Sequence, residues 1–510
     1  MDMNHDACYR AIQTRDARFD GRLFIGVHTT GIYCRPICPA RTPKKANVSF
    51  YASAAAAQEA GFRPCLRCRP EASPNLAIWR GTANTVARAT QLIEAGALDG
   101  GDMEALADRV GVGERQLRRL FQQHVGASPI AVAQTRRILL AQQLLHQTNL
   151  TMAEVALASG FGSVRRFNEA FRTLFNRPPA KLRGARRAGD ERAGNEIAIR
   201  LPYRPPYDWQ TILTFLAARA IPGVESVDAG AYTRTIAFGG DHGAIRVAPG
   251  EGNTLAVSVD FPRVDKLPAI IARVRRIFDL AADPLVIAAH LREDPKLAPL
   301  VAARPGLRVP GAWSGFELAV RAILGQQITV GAATRLAGIL ANTFGEPHAR
   351  PQRANLTRIF PSAQRLATAD LSVLGMPRAR IKSLAALATA VAADPEIFGA
   401  RRGLEDAIAQ LTALDGIGEW TAQYIAMREL REPDAFPASD IGLLRAMTGK
   451  DDKRPTPAWL LSRAEKWRPW RAYAALHLWA ADMEAATPAP ASARRPPPRS
   501  LGSDPPAVGP

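Results

Sequence analysis

The spacing of apolar residues changes along the chain, and each change predicts a different kind of structure. From about residue 196 apolar and polar residues alternate, as they do in residues 254–259 (TLAVSV), and this period of two predicts strands. A stretch of helical periodicity at residues 213–220 lies between the predicted strands. From about residue 302 to residue 485 the periodicity is helical, with turns of glycine and proline. We therefore expect a sheet-and-helix region followed by an all-helical region.

Residues 80–183 contain helical periodicity in two similar units. Each unit is a predicted helix, a glycine-containing turn and a second helix, with the turns at residues 111–113 (GVG) and 160–162 (GFG). One amphipathic hairpin is an ordinary packing motif, but two copies favour a pair of helix-turn-helix units. The second helix of each unit carries arginines that we expect to contact DNA: Arg115, Arg118, Arg119, Arg165 and Arg166.

A chain of 510 residues is too long for one hydrophobic core, so several domains are expected. The fold class that these patterns predict is multidomain and mainly α, with one α+β domain. The predicted divisions are a small cysteine-containing domain (1–78), a helical DNA-binding domain (79–183), a linker (184–194), an antiparallel sheet-plus-helix domain (195–300), an all-helical domain (301–486) and a proline-rich disordered tail (487–510).

The formal charge of +19 is unusually high, and the excess is positive in every region. This distribution favours a polyanionic partner, although arginine-rich codon usage would also produce it. The chain opens without the apolar block of a signal peptide, and no stretch approaches the roughly 18 apolar residues of a membrane helix. We therefore expect no membrane association and a cytoplasmic protein whose cysteines stay reduced.

All five cysteines lie within the first 68 residues. Cys34 and Cys38 form one close pair, and Cys65 and Cys68 form another. Two such pairs are typical of a tetrahedral Zn²⁺ site, whereas disulfides are disfavoured in a reducing compartment. Cys8 lies outside the pattern. The sequence thus predicts one zinc ion on four cysteines, and spacing alone leaves a purely structural role open.

The residues around the cysteines narrow this role. Residues 29–36 (TTGIYCRP), 47–51 (NVSFY) and 61–65 (GFRPC) resemble the amino-terminal domain of Ada-type adaptive-response proteins. The resemblance implies that Cys34 takes a methyl group irreversibly from a DNA phosphotriester. Methylation would make the cluster less negative and tighten DNA binding. The predicted helix-turn-helix pair, which ends in residues 175–179 (FNRPP), resembles the AraC-type DNA-binding domain.

The turn at Gly416 and Gly418 joins two predicted helices and exposes backbone N–H groups that suit a DNA phosphate. Such a turn alone is a weak signal, but residues 436–443 (FPASDIGL) follow it. Together the two segments resemble the helix–hairpin–helix DNA glycosylase superfamily. The resemblance implies that Asp440 is the catalytic carboxylate. From position alone, Asp440 would be interpreted as a helix N-cap.

Residues 207–209 (YDW), 303–308 (ARPGLR), 321–327 (RAILGQQ) and 470–479 (WRAYAALHLW) resemble 3-methyladenine DNA glycosylase II. The resemblance implies a base flipped into an aromatic cleft. The residues that it places at the cleft are Phe215, Trp420, Tyr424 and Trp479, although each alone fits core packing. It also places Gln326 and Gln327 against DNA, with Gln327 at the position of the side chain that enters the duplex gap.

Some residues of this sequence differ from those common in the glycosylase family, and some motifs of related proteins are missing from it. Ser439, Ile441 and Gln327 differ from common residues of the family, which leaves lesion range and efficiency open. Trp420 occupies the position of the lysine nucleophile of strand-cutting relatives, so we expect a monofunctional enzyme. No cysteine follows Cys68, so no iron–sulfur cluster is expected. No PCHR motif occurs, which indicates that the O⁶-alkylguanine transferase domain is missing.

Taken together, these features predict a glycosylase that hydrolyses the N-glycosidic bond of alkylated bases such as 3-methyladenine and 7-methylguanine. A methylphosphotriester acceptor and a transcription regulator would form its amino-terminal part. The alternative is a methylation-responsive transcription activator with an inactive glycosylase half. The expected partners are double-stranded DNA, both alkylated and promoter DNA, and RNA polymerase. We expect a monomer located at the bacterial nucleoid.

Overall fold

The structure is a computed structural model that describes residues 4–74, 84–183, 196–348, 355–399, 403–448 and 453–486. The predicted linker (184–194) and tail (487–510) lie outside the described residues. The described part is mainly helical and contains two sheets. The periodicity predicted the second sheet, whereas the first, within residues 24–64, was not predicted. Within it no helix has both the length and the apolar composition that crossing a membrane requires.

The first sheet brings the cysteine pairs together. In spatial order its strands are β3 (Val48–Tyr51), β1 (Phe24–Val27), β2 (Ile32–Cys34) and β4 (Arg63–Pro64), and β2 pairs with β4 in parallel. Tyr33 of β2 pairs with Pro64 of β4, so Cys34 and Cys65 leave the sheet side by side at the same edge. The α-helices of this region are α1 (His5–Gln13) and α2 (Ala54–Glu59).

The middle region contains the two predicted helix-turn-helix units, joined by a long helix. The helices are α3 (Asn84–Glu94), α4 (Met103–Arg109), α5 (Glu114–Val125), α6 (Pro129–Gln147), α7 (Met152–Ala158) and α8 (Val164–Phe175). Phe167, Phe171 and Phe175 recur every four residues along α8 and are buried on one face. That face joins a core shared with the sheet that follows, so the second unit packs directly against the next region.

The second sheet confirms the strands expected from alternation. It is antiparallel with the order β5-β9-β8-β7-β6, and it consists of β5 (Glu196–Pro202), β6 (Glu225–Asp228), β7 (Ala231–Phe238), β8 (Asp241–Pro249) and β9 (Thr254–Asp260). Two helices accompany it, α9 (Trp209–Ala217) and α10 (Leu267–Ile277). The helix predicted at residues 213–220 begins earlier than expected because the Asp208 side chain accepts from the Thr211 backbone N–H and starts α9.

The remaining helices pack around two hydrophobic cores, and the last of these helices contributes buried side chains to one of the cores. They are α11 (Pro284–Leu291), α12 (Leu297–Ala303), α13 (Gly315–Leu324), α14 (Val330–Phe344), α15 (Ala363–Ala367), α16 (Arg378–Ala393), α17 (Leu404–Thr412), α18 (Glu419–Arg428), α19 (Ile441–Ala446), α20 (Pro457–Ala464) and α21 (Arg471–Ala486). The predicted boundary at residue 300 falls inside α12. Leu297 and Val301 of that helix are buried in the same core as α21, so the helical core begins with α11.

Candidate active sites and nucleic-acid interface

The four predicted zinc ligands converge in the first region. The Sγ atoms of Cys34, Cys38, Cys65 and Cys68 all lie within 4.8 Å of one another. A zinc–sulfur tetrahedron with bonds of about 2.3 Å has edges of about 3.8 Å. The donor set and its spacing therefore fit one zinc ion. Cys8 lies apart, buried in the small core beneath the sheet.

The four sulfurs differ in their surroundings. Cys65 and Cys68 are buried, whereas Cys34 and Cys38 are partly exposed. The Arg35 backbone N–H donates to Cys68 Sγ at 3.4 Å, and the Arg35 side chain pairs with the buried Asp20. Accessibility thus limits attack on an external methyl group to Cys34 and Cys38.

Asp440 lies at the start of α19, where its side chain caps the helix and also accepts hydrogen bonds from two tryptophans. Its Oδ1 accepts from the Leu443 backbone N–H at 3.0 Å, which is the N-cap contact. The same oxygen accepts from Trp479 Nε1 at 2.8 Å, and Oδ2 accepts from Trp420 Nε1 at 2.9 Å. The side chain is half-buried. These three donors fix the carboxylate rigidly between two predicted cleft aromatics.

The predicted aromatic residues form a continuous cleft wall. Trp420 and Tyr424 stack with ring centroids 5.2 Å apart and an interplanar angle of 11°. Tyr424 meets Trp479 edge to face at 6.5 Å. All three rings are partly exposed, unlike ordinary core aromatics. The structure thus brings Trp420, Tyr424, Trp479 and Asp440 together from α18, α19 and α21.

Phe215 joins this wall through two arginines that the sequence analysis missed. The Arg428 guanidinium lies 4.9 Å from the Phe215 ring centroid and 5.1 Å from that of Tyr424, and it donates to the Tyr424 hydroxyl. The Arg219 guanidinium lies 3.8 Å from the Phe215 ring centroid. Burial acts to raise the pKa of Tyr424, but Arg428 and Arg219 outweigh burial and lower it. Each arginine lies four residues after its aromatic neighbour, a helical spacing that could have revealed it.

The hairpin and the predicted gap-filling loop lie next to each other. Gly416 has a φ of +84°, and a Cβ there would meet Ser383 Oγ at 2.0 Å, so only glycine fits this turn. Gly418 is the N-cap of α18 and offers no side chain to the first N–H groups, which leaves them available to an anion. Gln326 Nε2 donates to the Gly416 carbonyl at 3.0 Å. Gln327 beside it is exposed, with a φ of +60°.

The predicted DNA-contacting arginines of the middle region lie on solvent-facing sides of α5 and α8. Arg118 pairs with Glu114, and Arg165 pairs with Glu169 at 2.9 Å, both within one helix. Such exposed pairs are weak, so they leave the guanidinium groups free to exchange a carboxylate for a phosphate. The other predicted arginines on these two helices, Arg115, Arg119 and Arg166, are also exposed.

Three family models match the chain in the order in which these regions occur. The metal binding domain of Ada matches residues 7–71, a helix-turn-helix domain matches residues 106–185, and the AlkA N-terminal domain matches residues 198–314.

Individual relatives extend this agreement over most of the chain. The "Probable bifunctional transcriptional activator/DNA repair enzyme AlkA" of Mycobacterium tuberculosis is 42% identical over 482 residues, which is 93% of this chain and 96% of the relative. The DNA-3-methyladenine glycosylase 2 of Escherichia coli is 37% identical over 283 residues, or 55% of this chain and 95% of the relative. A 3-methyladenine DNA glycosylase from Archaeoglobus fulgidus shares the fold over 56% of this chain and 98% of its own, with a TM-score of 0.50 and 23% identity.

The family models and the relatives define a DNA alkylation-repair protein with a glycosylase part and a DNA-binding regulatory part. The metal site of the regulatory part is a zinc site. More particularly, the chain belongs to the family of bifunctional transcriptional activator/DNA repair enzymes of the AlkA type.

Proposed function

We propose that the protein is a monofunctional glycosylase that removes alkylated bases of the 3-methyladenine and 7-methylguanine type. The observation that carries this proposal is the Asp440 carboxylate held by the indoles of Trp420 and Trp479 in an aromatic cleft. The cleft matches the chemistry of the lesion. Methylation makes the base cationic, and electron-rich ring faces attract a cation by roughly 0.5–2 kcal/mol.

In the proposed reaction the lesion is flipped into the cleft and its sugar C1′ comes to face Asp440. The bond between C1′ and the base nitrogen breaks, and its electron pair leaves with the base, which thereby becomes neutral. The carboxylate stabilises the positive charge that develops on the sugar and orients the water that adds to C1′. The proton that this water loses passes to the Asp440 carboxylate and from there to solvent, which leaves a hydroxyl group on C1′. Trp420 supplies no amine, so no Schiff base with the sugar forms and the strand stays intact.

For the cysteine cluster we propose methyl transfer to Cys34 from a DNA methylphosphotriester. The Cys34 sulfur attacks the methyl carbon, an S–C bond forms, and the C–O bond breaks to leave an ordinary phosphodiester. Zinc, when bound, supplies the positive charge that keeps the four sulfurs as thiolates. Partial exposure of Cys34 and Cys38 supports an acceptor at one of them. The sequence resemblance to Ada-type domains favours Cys34.

For the helix-turn-helix units we propose promoter binding by the exposed arginines of α5 and α8. Methylation of Cys34 would lower the negative charge of the cluster and strengthen that binding. We further propose that the regulator acts on RNA polymerase at such promoters, as a monomer associated with the nucleoid. A damaged base has no two-fold symmetry that would require a dimer.

Base release from methylated duplex DNA tests the glycosylase, with wild-type protein beside Asp440→Asn. Asparagine still caps α19, so the variant should fold and bind DNA while losing release by roughly 10²–10⁴-fold. If the variant still released the base at the wild-type rate, Asp440 would not be the catalytic carboxylate. If folded wild-type protein bound DNA but released no base, the alternative of a methylation-responsive activator with an inactive glycosylase half would stand.

Mass spectrometry after exposure to methylphosphotriester DNA tests the acceptor. One added methyl group is expected on the peptide that contains Cys34, and Cys34→Ser should lose it. A methyl group on Cys38 would reassign the acceptor, and an unmodified zinc-loaded protein would make the cluster an anchor only.

A further inference from the structure

A second carboxylate lies beside the proposed catalytic one. A Cβ built on Gly442 would lie 3.1 Å from Asp440 Oδ1, 3.2 Å from Asp482 Oδ2 and 3.3 Å from Trp479 Cδ1. Asp482 follows Trp479 by one turn of α21, so the same helix supplies a cleft aromatic and this carboxylate. The residue directly before Asp440 in the sequence is Ser439, which is not acidic. Tertiary packing instead brings the acidic side chain of Asp482 near Asp440 from α21.

Asp482 holds an arginine from α19. Arg445 Nε donates to Asp482 Oδ1 at 2.9 Å, and Arg445 Nη2 donates to Oδ2 at 2.6 Å. The Asp482 side chain is only 14% exposed, whereas that of Arg445 is 53% exposed. A guanidinium has five N–H donors in a planar fork, and the carboxylate engages one edge of it. The outer edge of Arg445 is therefore aligned and open to solvent.

Arg445 shares its face of α19 with an exposed apolar side chain. Ile441 lies one helical turn before Arg445 and is 58% exposed, which is high for a residue of its size. The residue just before Ile441 is Asp440, so this face borders the site of reaction. DNA must cover this face for a sugar C1′ to reach Asp440. An apolar side chain suits the sugar, and an open guanidinium edge suits a phosphate.

We infer that Arg445, aligned by Asp482, binds a backbone phosphate next to the flipped nucleotide. The contact makes Arg445 a positioning residue that brings C1′ against the Asp440 carboxylate. This inference rests on the proposed glycosylase function, but the phosphate contact itself can be measured without any reaction.

The first test is binding of the full chain to a duplex that contains a tetrahydrofuran abasic analogue, over a range of salt concentrations. Each phosphate contact contributes about 0.9 to the slope of log K against log salt. Arg445→Gln should reduce the slope by about that amount, and Arg445→Lys should retain it. The matched control is Arg263→Gln, because Arg263 is also 53% exposed and paired with an aspartate, Asp265, and its slope should equal that of wild type. An unchanged slope in Arg445→Gln overturns the inference.

The second test is single-turnover base release at saturating protein. Asp482→Asn keeps the arginine charge but loosens its alignment, so the salt slope should persist while the rate falls about tenfold. If the ion pair were purely structural, Arg445→Gln and Asp482→Asn would both have a lower melting temperature. The slope of log K against log salt and the rate of base release at saturating protein would then stay unchanged, and this result would also overturn the inference. If the slope responds as expected but wild-type protein releases no base, the proposed function fails and the phosphate contact stands.

Discussion

The indole N–H of Trp420 donates to Asp440 Oδ2 at 2.9 Å across a separation of 20 residues. The sequence resemblance to helix–hairpin–helix glycosylases implies that Trp420 stands where strand-cutting relatives carry a lysine nucleophile, so we expect a hydrogen-bond donor in place of an amine. Trp479 donates to the other oxygen, and the two indoles hold the carboxylate from both sides. The rings that line the cleft thus also orient the carboxylate that we propose as the catalytic group.

Trp420→Phe tests this dual role. Phenylalanine keeps a ring for stacking on Tyr424 but removes the donor to Asp440. Since a hydrogen bond to a charged group contributes about 1.5–3 kcal/mol, single-turnover base release should fall at least about tenfold. Trp459→Phe, at a half-exposed position away from the cleft, should match wild type. Equal rates in Trp420→Phe and wild type would show that the donor has no part in orienting the carboxylate.

Gly442→Ala tests the crowding beside Asp440. The added methyl group would lie 3.1–3.3 Å from Asp440, Asp482 and Trp479, so the carboxylate must move. Because the carboxylate is displaced, base release should fall about tenfold. Alanine is more favourable than glycine in a helix by about 1 kcal/mol, so the thermal stability should not fall. Gly331→Ala in α14, where the new methyl group meets nothing within 4 Å, should keep full activity. An active Gly442→Ala protein would show that the site tolerates the displacement.

Metal content tests the cysteine cluster. Purified protein should contain one zinc per chain, and Cys38→Ser should reduce this to near zero because a structural site needs all four ligands. The control is Cys8→Ala, at a small buried position outside the cluster, which should retain the metal. Retention of a full equivalent of zinc by Cys38→Ser would mean that the four sulfurs do not form the site.

The stability of the helical region should depend on pH through His477. Burial, followed by the nearby Arg304 charge, lowers the pKa of His477 to about 4. In the unfolded chain the imidazole titrates near 6.5. Between pH 6.5 and 4 the unfolded chain therefore binds more protons than the folded one, so the free energy of unfolding decreases as the pH is lowered through this range, by up to about 3 kcal/mol.

Urea unfolding followed by tryptophan fluorescence between pH 7 and 4.5 measures this effect. His477→Gln should flatten the pH dependence in that window, whereas the exposed His28→Gln should leave it as in wild type. Identical pH profiles for His477→Gln and wild type would show that the histidine is as easily protonated in the folded protein as in the unfolded chain.

Much of the fold could be predicted because periodicity is a local property of the sequence. Alternation around Ile197 and Val257 identified strands of the second sheet, and the four-residue spacing of Phe167 and Phe171 belongs to a helix that the pattern predicted. The cysteine spacing predicted a cluster, which the parallel pairing of β2 with β4 then assembles. The predicted boundary near residue 300 falls inside α12, and local spacing could not show this because α21, the helix that packs against α12, follows more than 160 residues later.

The sequence alone determined the order of the regions, the residue types of the metal site and, through resemblance, the aspartate and aromatics of the cleft. Only the tertiary structure decided that Asp440 accepts from two indoles, that Arg428 reaches both Phe215 and Tyr424, and that Asp482 aligns Arg445. The physical reason is sequence separation. Local spacing determines which face of an element is apolar, but side chains dozens to hundreds of residues apart meet only when those faces pack.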